Sequence, residues 1–218
     1  MGGSEEMKPQ VQPTHYFENT YDSKGRFISY WHQINEINTR KPRSVLEIGI
    51  GNGLTSYYLK QRGIDITTLD IDRQLHPDIV GSILEIPFQD NSFDLIACFE
   101  VLEHIPYEKL PQALDELHRV SRRHVILSLP NCNRIYSLCF HIPMVGTLKR
   151  LIPLPRLRPL HHTFDGEHYW EIGKAGYPLQ KILQDVKNAG FDIIKTYRVF
   201  EVPYHHFIVL NKTGQKVQ

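Results

Sequence analysis

The chain has 218 residues, of which 41% are hydrophobic and 22% are charged, and this suits one well-buried globular domain. Lysine and arginine number 25 against 24 acidic residues, so the net charge of +1 argues against a nucleic-acid partner. No apolar stretch is long enough for a transmembrane segment, and the three cysteines lack C-x-x-C spacing, so we expect a cytoplasmic protein without disulfides or a thiolate metal site.

The first half of the chain predicts alternating strands and helices. Residues 1–20 are polar and interrupted by prolines, so this segment is predicted to be mobile. Apolar side chains at helical spacing predict a helix from about residue 22 to 38. Short apolar runs then predict strands at about 44–49, 65–70, 79–81, 93–98 and 123–129, with helices at about 54–62 and 107–120. This order predicts a doubly wound, mostly parallel sheet with helices on both faces.

The second half contains a long connection at about residues 131–177. It contains four prolines, which exclude one long helix. A connection of this length commonly serves as a lid, so residues 21–218 are predicted to form a single domain with a lid insertion at 131–177. The basic, leucine-rich stretch 148–160 also fits contact with anionic lipid, although its prolines favour enclosure of a substrate. A helix at about 178–189 and strands at about 192–200 and 204–210 complete the domain.

Residues 45–53 read V-L-E-I-G-I-G-N-G and join a predicted strand to a predicted helix. Glycines at positions 49, 51 and 53 permit backbone angles that other residues avoid and let a ligand approach the main chain closely. The free N–H groups of the following helix would face that ligand, which predicts a nucleotide-like cofactor. A dinucleotide-binding turn has the spacing G-x-G-x-x-G, and this segment lacks it.

The spacing E-x-G-x-G-x-G from Glu47 to Gly53 resembles the first motif of class I S-adenosylmethionine-dependent methyltransferases of the ubiquinone/menaquinone-biosynthesis type. Four further segments resemble motifs of this family in the same order: L-D-I at 69–71, I-P-F followed by N-S-F-D at 86–94, E-V-L-E-H at 100–104 and S-L-P-N at 128–131. The resemblance implies a Rossmann-like, seven-stranded sheet with an antiparallel seventh strand. It also implies that the cofactor is S-adenosyl-L-methionine.

The resemblance assigns roles to several residues around this cofactor. Asp70 is expected to accept hydrogen bonds from both ribose hydroxyls, because one carboxylate offers two oxygens to two donors. Glu47 is expected either to hold the glycine loop or to reach the ammonium group of the cofactor. Ser82 stands where the family commonly has an aspartate that binds adenine, and the alternative is a plain turn. The other expected cofactor contacts are Gly49, Gly51, Gly53, Ile71, Ile83 and Phe99.

Methyl transfer is an in-line displacement, so the acceptor atom must lie about 3 Å from the methyl carbon. A hydroxyl or protonated amine acceptor also needs a base. Glu100 and His104 are four residues apart and would share one face of a short helix, so they are predicted to form a catalytic dyad with His104 as the base. The alternative for His104 is a structural role at a helix end. His168, flanked by an acid and two aromatics in the lid, is the third predicted catalytic residue.

Glu100, Glu103 and His104 also resemble the metal-binding E-x-x-E-H triplet of two groups, the ubiquinone-pathway O-methyltransferases and the small-RNA ribose 2′-O-methyltransferases. The segment 167–171 is loosely similar to the lid segment that completes the site in the second group. Because E-V-L-E-H also occurs in relatives without a metal, no metal is predicted.

We therefore predict methyl transfer to a small-molecule acceptor, at a hydroxyl oxygen, with the lid selecting the acceptor. Two alternatives remain open: an RNA ribose 2′-O-methyltransferase with a divalent metal, and a non-catalytic module that binds S-adenosylmethionine. The identity of the acceptor and the oligomeric state cannot be read from the sequence, because lid chemistry varies independently of the fold.

Overall fold

The computed structural model describes residues 9–18, 21–156, 158–164 and 166–213. The predicted mobility of residues 1–8 and 19–20 lies outside the described residues. The helices are α1 (Lys24–Arg40), α2 (Leu54–Gln61), α3 (Leu110–Val120) and α4 (Leu179–Asn188). The strands are β1 (Ser44–Ile48), β2 (Asp65–Asp70), β3 (Ile79–Val80), β4 (Phe93–Phe99), β5 (Ser121–Pro130), β6 (Ile135–Ile142), β7 (Gly146–Pro153), β8 (Phe191–Arg198) and β9 (His205–Lys212).

Seven strands form one sheet in the order β3-β2-β1-β4-β5-β9-β8. The first five pair in parallel, and β9 runs antiparallel to both β5 and β8. One core cluster lies between the sheet and α3 with α4, and a second lies between the opposite face and α1 with α2. The predicted Rossmann-like sheet, with helices on both faces and an antiparallel last strand, is confirmed.

The sequence of α3 shows why it covers the sheet. Its buried residues are Leu110, Ala113, Leu114, Leu117 and Val120, which follow the spacing of one helix face. In contrast, only the 3-10 turn Arg73–Leu75 joins β2 to β3. The crossover helix is absent there because the connection is short.

A buried carboxylate ties α1 to the edge of the sheet. Glu36 is 2% exposed and accepts hydrogen bonds from Lys195 Nζ at 2.7 Å, Tyr197 Oη at 2.8 Å and Arg40 Nη1 at 2.8 Å. Burial raises the pKa of Glu36, but the bonds from Lys195 and Tyr197 outweigh it and hold this pKa below its ordinary value. The charged form of Glu36 therefore stabilises the fold.

We expect Glu36→Gln to lower the free energy of unfolding at neutral pH by about 2 kcal/mol, since the amide loses the charge that two cations face. A depressed folded-state pKa contributes stability above the unfolded pKa and loses it as the pH falls through the folded value. The difference between wild type and variant should therefore shrink below about pH 4.5. Urea denaturation at neutral and acidic pH measures this difference in the free energy of unfolding, with the exposed Glu108→Gln as control. A difference that persists unchanged in acid would contradict this role.

The region after β5 contains a hairpin that the sequence analysis did not predict. Strands β6 and β7 pair antiparallel in a separate two-stranded sheet. The chain then returns to the main body, where Trp170 is fully buried and its indole N–H donates to the Ile105 carbonyl at 3.1 Å. Tyr169 N donates to the Glu103 carbonyl at 2.8 Å. The second half of the predicted lid is therefore attached to the carboxyl edge of the sheet. Within the described ranges, no helix has the length and apolar character needed to cross a bilayer.

Candidate active site

The glycine turn between β1 and α2 has the backbone that its sequence predicts. Gly49, Gly51 and Gly53 have φ angles of +80°, +54° and +73°. A Cβ atom on Gly49 would lie 2.3 Å from Cγ2 of Val101, so both the backbone angle and the neighbour require glycine. Gly53 is the N-cap of α2. The turn therefore brings main-chain N–H groups to the carboxyl edge of the sheet, where a ligand can approach them.

Asp70, the last residue of β2, lies beside this turn because β1 and β2 are parallel neighbours. Its Oδ2 accepts a hydrogen bond from Ile50 N at 2.9 Å, and its Oδ1 accepts one from Asp72 N at 2.9 Å. Burial raises the pKa of Asp70, and these N–H donors oppose that effect. Each carboxylate oxygen has a second lone pair, so Asp70 can hold the loop and still accept from two ribose hydroxyls.

The other predicted cofactor residues have different surroundings: Ser82 is part of a turn, whereas Ile83 and Phe99 are in the core. Ser82 Oγ accepts from Leu84 N at 3.1 Å, which is the plain turn that the sequence left as an alternative. The side chains of Ile83 and Phe99 are 4% and 7% exposed and belong to the two core clusters. Little of either side chain is therefore open to a ligand, whereas their backbone groups lie at the edge of the sheet. Ile71 is half-buried beside Asp70.

Glu47 is a buried acid on β1. It is 3% exposed, and its Oε2 has no hydrogen-bond partner among the described residues. Burial raises the pKa of Glu47 to about 8, although a hydrogen bond with Ser56 at the start of α2 opposes this. At neutral pH the carboxyl group is therefore mostly protonated, and its contact with Ser56 holds the helix against the strand. This position supports the structural alternative for Glu47.

Aromatic residues of the N-terminal segment lie over the glycine turn. Residues Pro13–Phe17 form a 3-10 helix, and Tyr16 Cδ1 lies 3.7 Å from the position of a Cβ atom on Gly51. The rings of Tyr16 and Tyr21 meet edge to face with centroids 5.3 Å apart, and burial raises the pKa of both hydroxyls. Sequence reasoning missed Tyr16, because the polar residues around it predicted a mobile segment.

Glu100 follows β4 directly and has a left-handed backbone, with φ of +53°. Its N–H donates to the Ser128 carbonyl at 3.0 Å, and its Oε1 lies 3.4 Å from His205 Nδ1 at the start of β9. The short helix begins only at Leu102, so Glu100 does not share a helix face with His104. The predicted helix face shared by Glu100 and His104 is therefore wrong, and the carboxylate of Glu100 faces His205.

The two acids of the E-V-L-E-H segment differ in charge. Burial raises the pKa of Glu100, but the contact with His205 outweighs it and leaves this pKa below its ordinary value. Glu103 is fully buried, and neither carboxyl oxygen has a hydrogen-bond partner among the described residues. Burial and the charge of Glu100 raise the pKa of Glu103 well above its ordinary value. Glu100 is therefore the ionised acid of the pair at neutral pH.

The structure brings His104 and His168 together, with perpendicular rings whose centroids are 5.0 Å apart. His104 Nδ1 lies 2.7 Å from Gln10 Oε1 and 3.0 Å from the Glu167 carbonyl. Burial, followed by the neighbouring His168, lowers the pKa of His104, so its imidazole is neutral at neutral pH. Glu103, His104 and His168 each place one potential ligand atom within 4.8 Å of the others, in the part of the chain that the structure describes.

A polar cluster fixes His168 in this position. His168 Nδ1 lies 2.7 Å from Glu171 Oε1, and Lys174 Nζ lies 2.9 Å from Glu171 Oε2. Burial raises the pKa of Glu171, but hydrogen bonds from His168, Cys132 and Lys174 lower it to about 2. Burial also raises the pKa of the Cys132 thiol to about 11, which excludes a reactive thiolate. The sequence signal for this cluster was the acidic and basic pattern after His168.

Comparison with known proteins agrees with the fold and the motifs. A methyltransferase domain family matches residues 46–129. An uncharacterized protein of Methanocaldococcus jannaschii is 34% identical over 94 residues, which cover 40% of each chain. A probable chloroplastic tocopherol O-methyltransferase of Oryza sativa is 33% identical over 99 residues, covering 38% of this chain and 27% of its own. A ubiquinone biosynthesis O-methyltransferase of Stutzerimonas stutzeri is 31% identical over 81 residues, covering 29% of this chain and 34% of its own. The matches thus span less than half the length of these relatives.

Solved structures share the fold of this chain over nearly its whole length. An S-adenosylmethionine-dependent methyltransferase from Clostridium acetobutylicum superposes with a TM-score of 0.62 at 10% identity, covering 93% of this chain and all (100%) of its own. The PH0226 protein from Pyrococcus horikoshii superposes with a TM-score of 0.59 at 15% identity, covering 94% of this chain and 97% of its own. At such low identity these two comparisons establish the fold. Together with the methyltransferase domain family that matches residues 46–129 and the O-methyltransferase relatives, they support assignment of this chain to the class I S-adenosylmethionine-dependent methyltransferases.

Proposed function

We propose that this protein transfers the methyl group of S-adenosylmethionine to a hydroxyl oxygen of a small molecule. The observation that carries the proposal is the juxtaposition, at one sheet edge, of the Asp70-bound glycine turn with the Glu100–His205 and His104–His168 pairs. The tocopherol and ubiquinone O-methyltransferases among the relatives support a hydroxyl acceptor.

The residues of the site would have different roles in this reaction. The glycine turn and Asp70 fit the ribose end of the cofactor, since they offer N–H donors and a carboxylate at the end of β2. The ionised Glu100 lies after β4, where its negative charge favours the sulfonium end of the cofactor. The neutral imidazole of His104 is the group that takes the proton of the acceptor hydroxyl.

Calorimetry with S-adenosylhomocysteine and detection of labelled methyl groups on a panel of phenols, alcohols and an RNA oligomer test this function. We expect saturable binding, and methyl transfer to a small hydroxyl compound. The double variant Glu100→Gln/His104→Gln is expected to lower turnover about tenfold or more while it keeps the binding heat. Binding without any transfer would favour a non-catalytic module. Transfer to RNA alone would favour a ribose methyltransferase, and absence of binding would remove the proposal.

A second candidate is hydroxyl methylation assisted by a divalent metal. Glu103, His104 and His168 fit this, because one carboxyl oxygen and two imidazole nitrogens lie within 4.8 Å of one another. The Nδ1 atoms of both rings already face oxygen acceptors, as those of metal-binding histidines commonly do. Such an ion would polarise the acceptor hydroxyl, and this set of ligands suits Zn²⁺ or Mn²⁺ better than Mg²⁺.

If this site binds a metal, Zn²⁺ or Mn²⁺ should raise the melting temperature by about 5 °C at a concentration near a hundred times the dissociation constant. His168→Gln should abolish the shift, whereas the exposed His161→Gln should retain it. Thermal denaturation with each ion, and with Mg²⁺ as comparison, measures this. An equal shift in both variants would place the ion elsewhere.

A further inference from the structure

The hairpin of β6 and β7 has two faces of opposite character. Cross-strand partners point to the same side of a sheet, and Tyr136 pairs with Ile152 while Phe140 pairs with Leu148. Side chains alternate along each strand, so one face carries six large apolar residues and a single cation. These residues are Tyr136, Leu138, Phe140, Ile142, Leu148 and Ile152, with Arg150, and the apolar six are 36% to 61% exposed.

The polar face of the hairpin is the one that contacts the rest of the protein. Ser137 Oγ donates to the Phe200 carbonyl at 2.9 Å, and Lys149 Nζ lies 2.8 Å from Glu201 Oε1. The apolar face therefore points away from the body, which inverts the arrangement expected of a two-stranded sheet in water. At the tip, Met144 is 106% and Val145 is 79% exposed. An exposed apolar surface of this kind marks an interaction site.

The charged residues of the stretch that contains this surface have one sign. The stretch from residue 131 to 164 contains five lysines and arginines and no aspartate or glutamate, although the whole chain carries a net charge of only +1. Of these cations, Arg134, Arg150 and Arg158 are exposed. The stretch that forms the apolar face is thus net positive and places Arg150 on that face, while the rest of the chain is net negative. This asymmetry selects a negatively charged partner.

Two partners would cover the apolar face, a second copy of this chain and a lipid bilayer. A symmetric pair of copies would bring the exposed Arg134, Arg150 and Arg158 of both copies together, with no acid in either stretch to neutralise them. A bilayer with anionic headgroups satisfies both features at once, because apolar side chains enter the acyl boundary while cations meet the phosphates. We propose that the β6–β7 hairpin binds the surface of an anionic membrane, with Met144 and Phe140 inserted below the headgroups. This binding does not depend on methyl transfer.

Vesicle flotation tests the proposal on the full chain. We expect wild-type protein to float with vesicles of phosphatidylglycerol and phosphatidylcholine, and much less with phosphatidylcholine alone. Phe140→Ser/Met144→Ser should lower the partition coefficient about tenfold or more. Arg150→Gln/Arg158→Gln should lower it about fivefold per cation, and added salt should lower that of the wild type. The control Ile194→Ser removes an exposed apolar side chain of β8, 51% exposed, and should float like wild type.

Three results would overturn the proposal. The first is wild-type protein that stays in the aqueous fraction with anionic vesicles. The second is equal flotation of wild type and Phe140→Ser/Met144→Ser. The third is a dimer in sedimentation velocity that this variant dissociates, without vesicle binding by the wild type, which would assign the face to a second copy. The altered residues lie outside both core clusters, so the melting temperature should stay unchanged and verify folding. The salt dependence of wild-type flotation tests the role of charge without any substitution.

Discussion

Replacing Asp70 with alanine is expected to weaken the binding of S-adenosylhomocysteine about a hundredfold. The substitution removes the acceptor of Ile50 N and Asp72 N, so the glycine turn loses the contact that fixes its position. It also removes the charged acceptor available to the ribose hydroxyls. Each charge-assisted hydrogen bond contributes about 1.5–3 kcal/mol, and every 1.4 kcal/mol is a tenfold change in affinity. Isothermal titration calorimetry measures the change.

Two further variants make this result specific. Asp70→Asn keeps the size of the side chain but turns one acceptor into a donor that would face a backbone N–H, so we expect nearly the same loss. Asp90→Asn removes a carboxylate whose side chain is 71% exposed, and it should bind as wild type does. Folded Asp70→Ala protein with unchanged affinity would show that the cofactor is held elsewhere.

Gly49→Ala is expected to lower the free energy of unfolding by about 3 kcal/mol and to abolish cofactor binding. A left-handed backbone costs about 1–2 kcal/mol for a residue with a Cβ atom, and overpacking costs about 1–3 kcal/mol. Both apply here, since φ is +80° and the new Cβ would lie 2.3 Å from Val101 Cγ2. Because the turn must shift to relieve this contact, Ile50 N would move away from Asp70. Urea denaturation and calorimetry measure the two effects.

Gly63 provides a matched control for the free-energy cost of the left-handed backbone angle alone. Gly63 has φ of +77°, and nothing lies within 4 Å of a Cβ atom built there, so Gly63→Ala should cost only the backbone angle. Val101→Ala combined with Gly49→Ala should recover the overpacking part, about half of the total. Equal destabilisation by Gly49→Ala and Gly63→Ala would contradict the role assigned to Val101.

Most of the fold could be predicted because its strands and helices have clear patterns. The apolar runs of β1, β4 and β5 indicate strands buried on both faces, and the spacing in α3 indicates a one-sided helix. The hairpin of β6 and β7 was missed although Tyr136, Leu138, Phe140 and Ile142 alternate with small or polar residues. Such alternation ordinarily predicts a strand whose apolar face meets the core, and here that face points outward. The nearby prolines led instead to the interpretation of an irregular lid.

The candidate site could be predicted only in part. The proximity of Asp70 to the glycine turn follows from the parallel pairing of β1 and β2, which the order of elements predicts. The contact between Glu100 and His205 does not follow from any local pattern, because it depends on a left-handed backbone angle and on a strand about a hundred residues later. The burial of the Ile83 and Phe99 side chains likewise depends on tertiary packing, which no local pattern predicts. Sequence motifs located the site, but not the direction of its side chains.

The reversed direction of β9 has a consequence for the order in which the protein is made. Because β9 runs antiparallel, its first residue, His205, lies at the edge where the parallel strands end. The ribosome therefore adds about a hundred residues after Glu100 before His205 is made, while the glycine turn and Asp70 are complete more than a hundred residues earlier than His205. A nascent chain arrested before β9 would carry the glycine turn but lack His205, and the internal strand β5 would lack its neighbour on one side. Contact between Glu100 and His205 therefore forms only after β9 has been made, later than the glycine turn and Asp70.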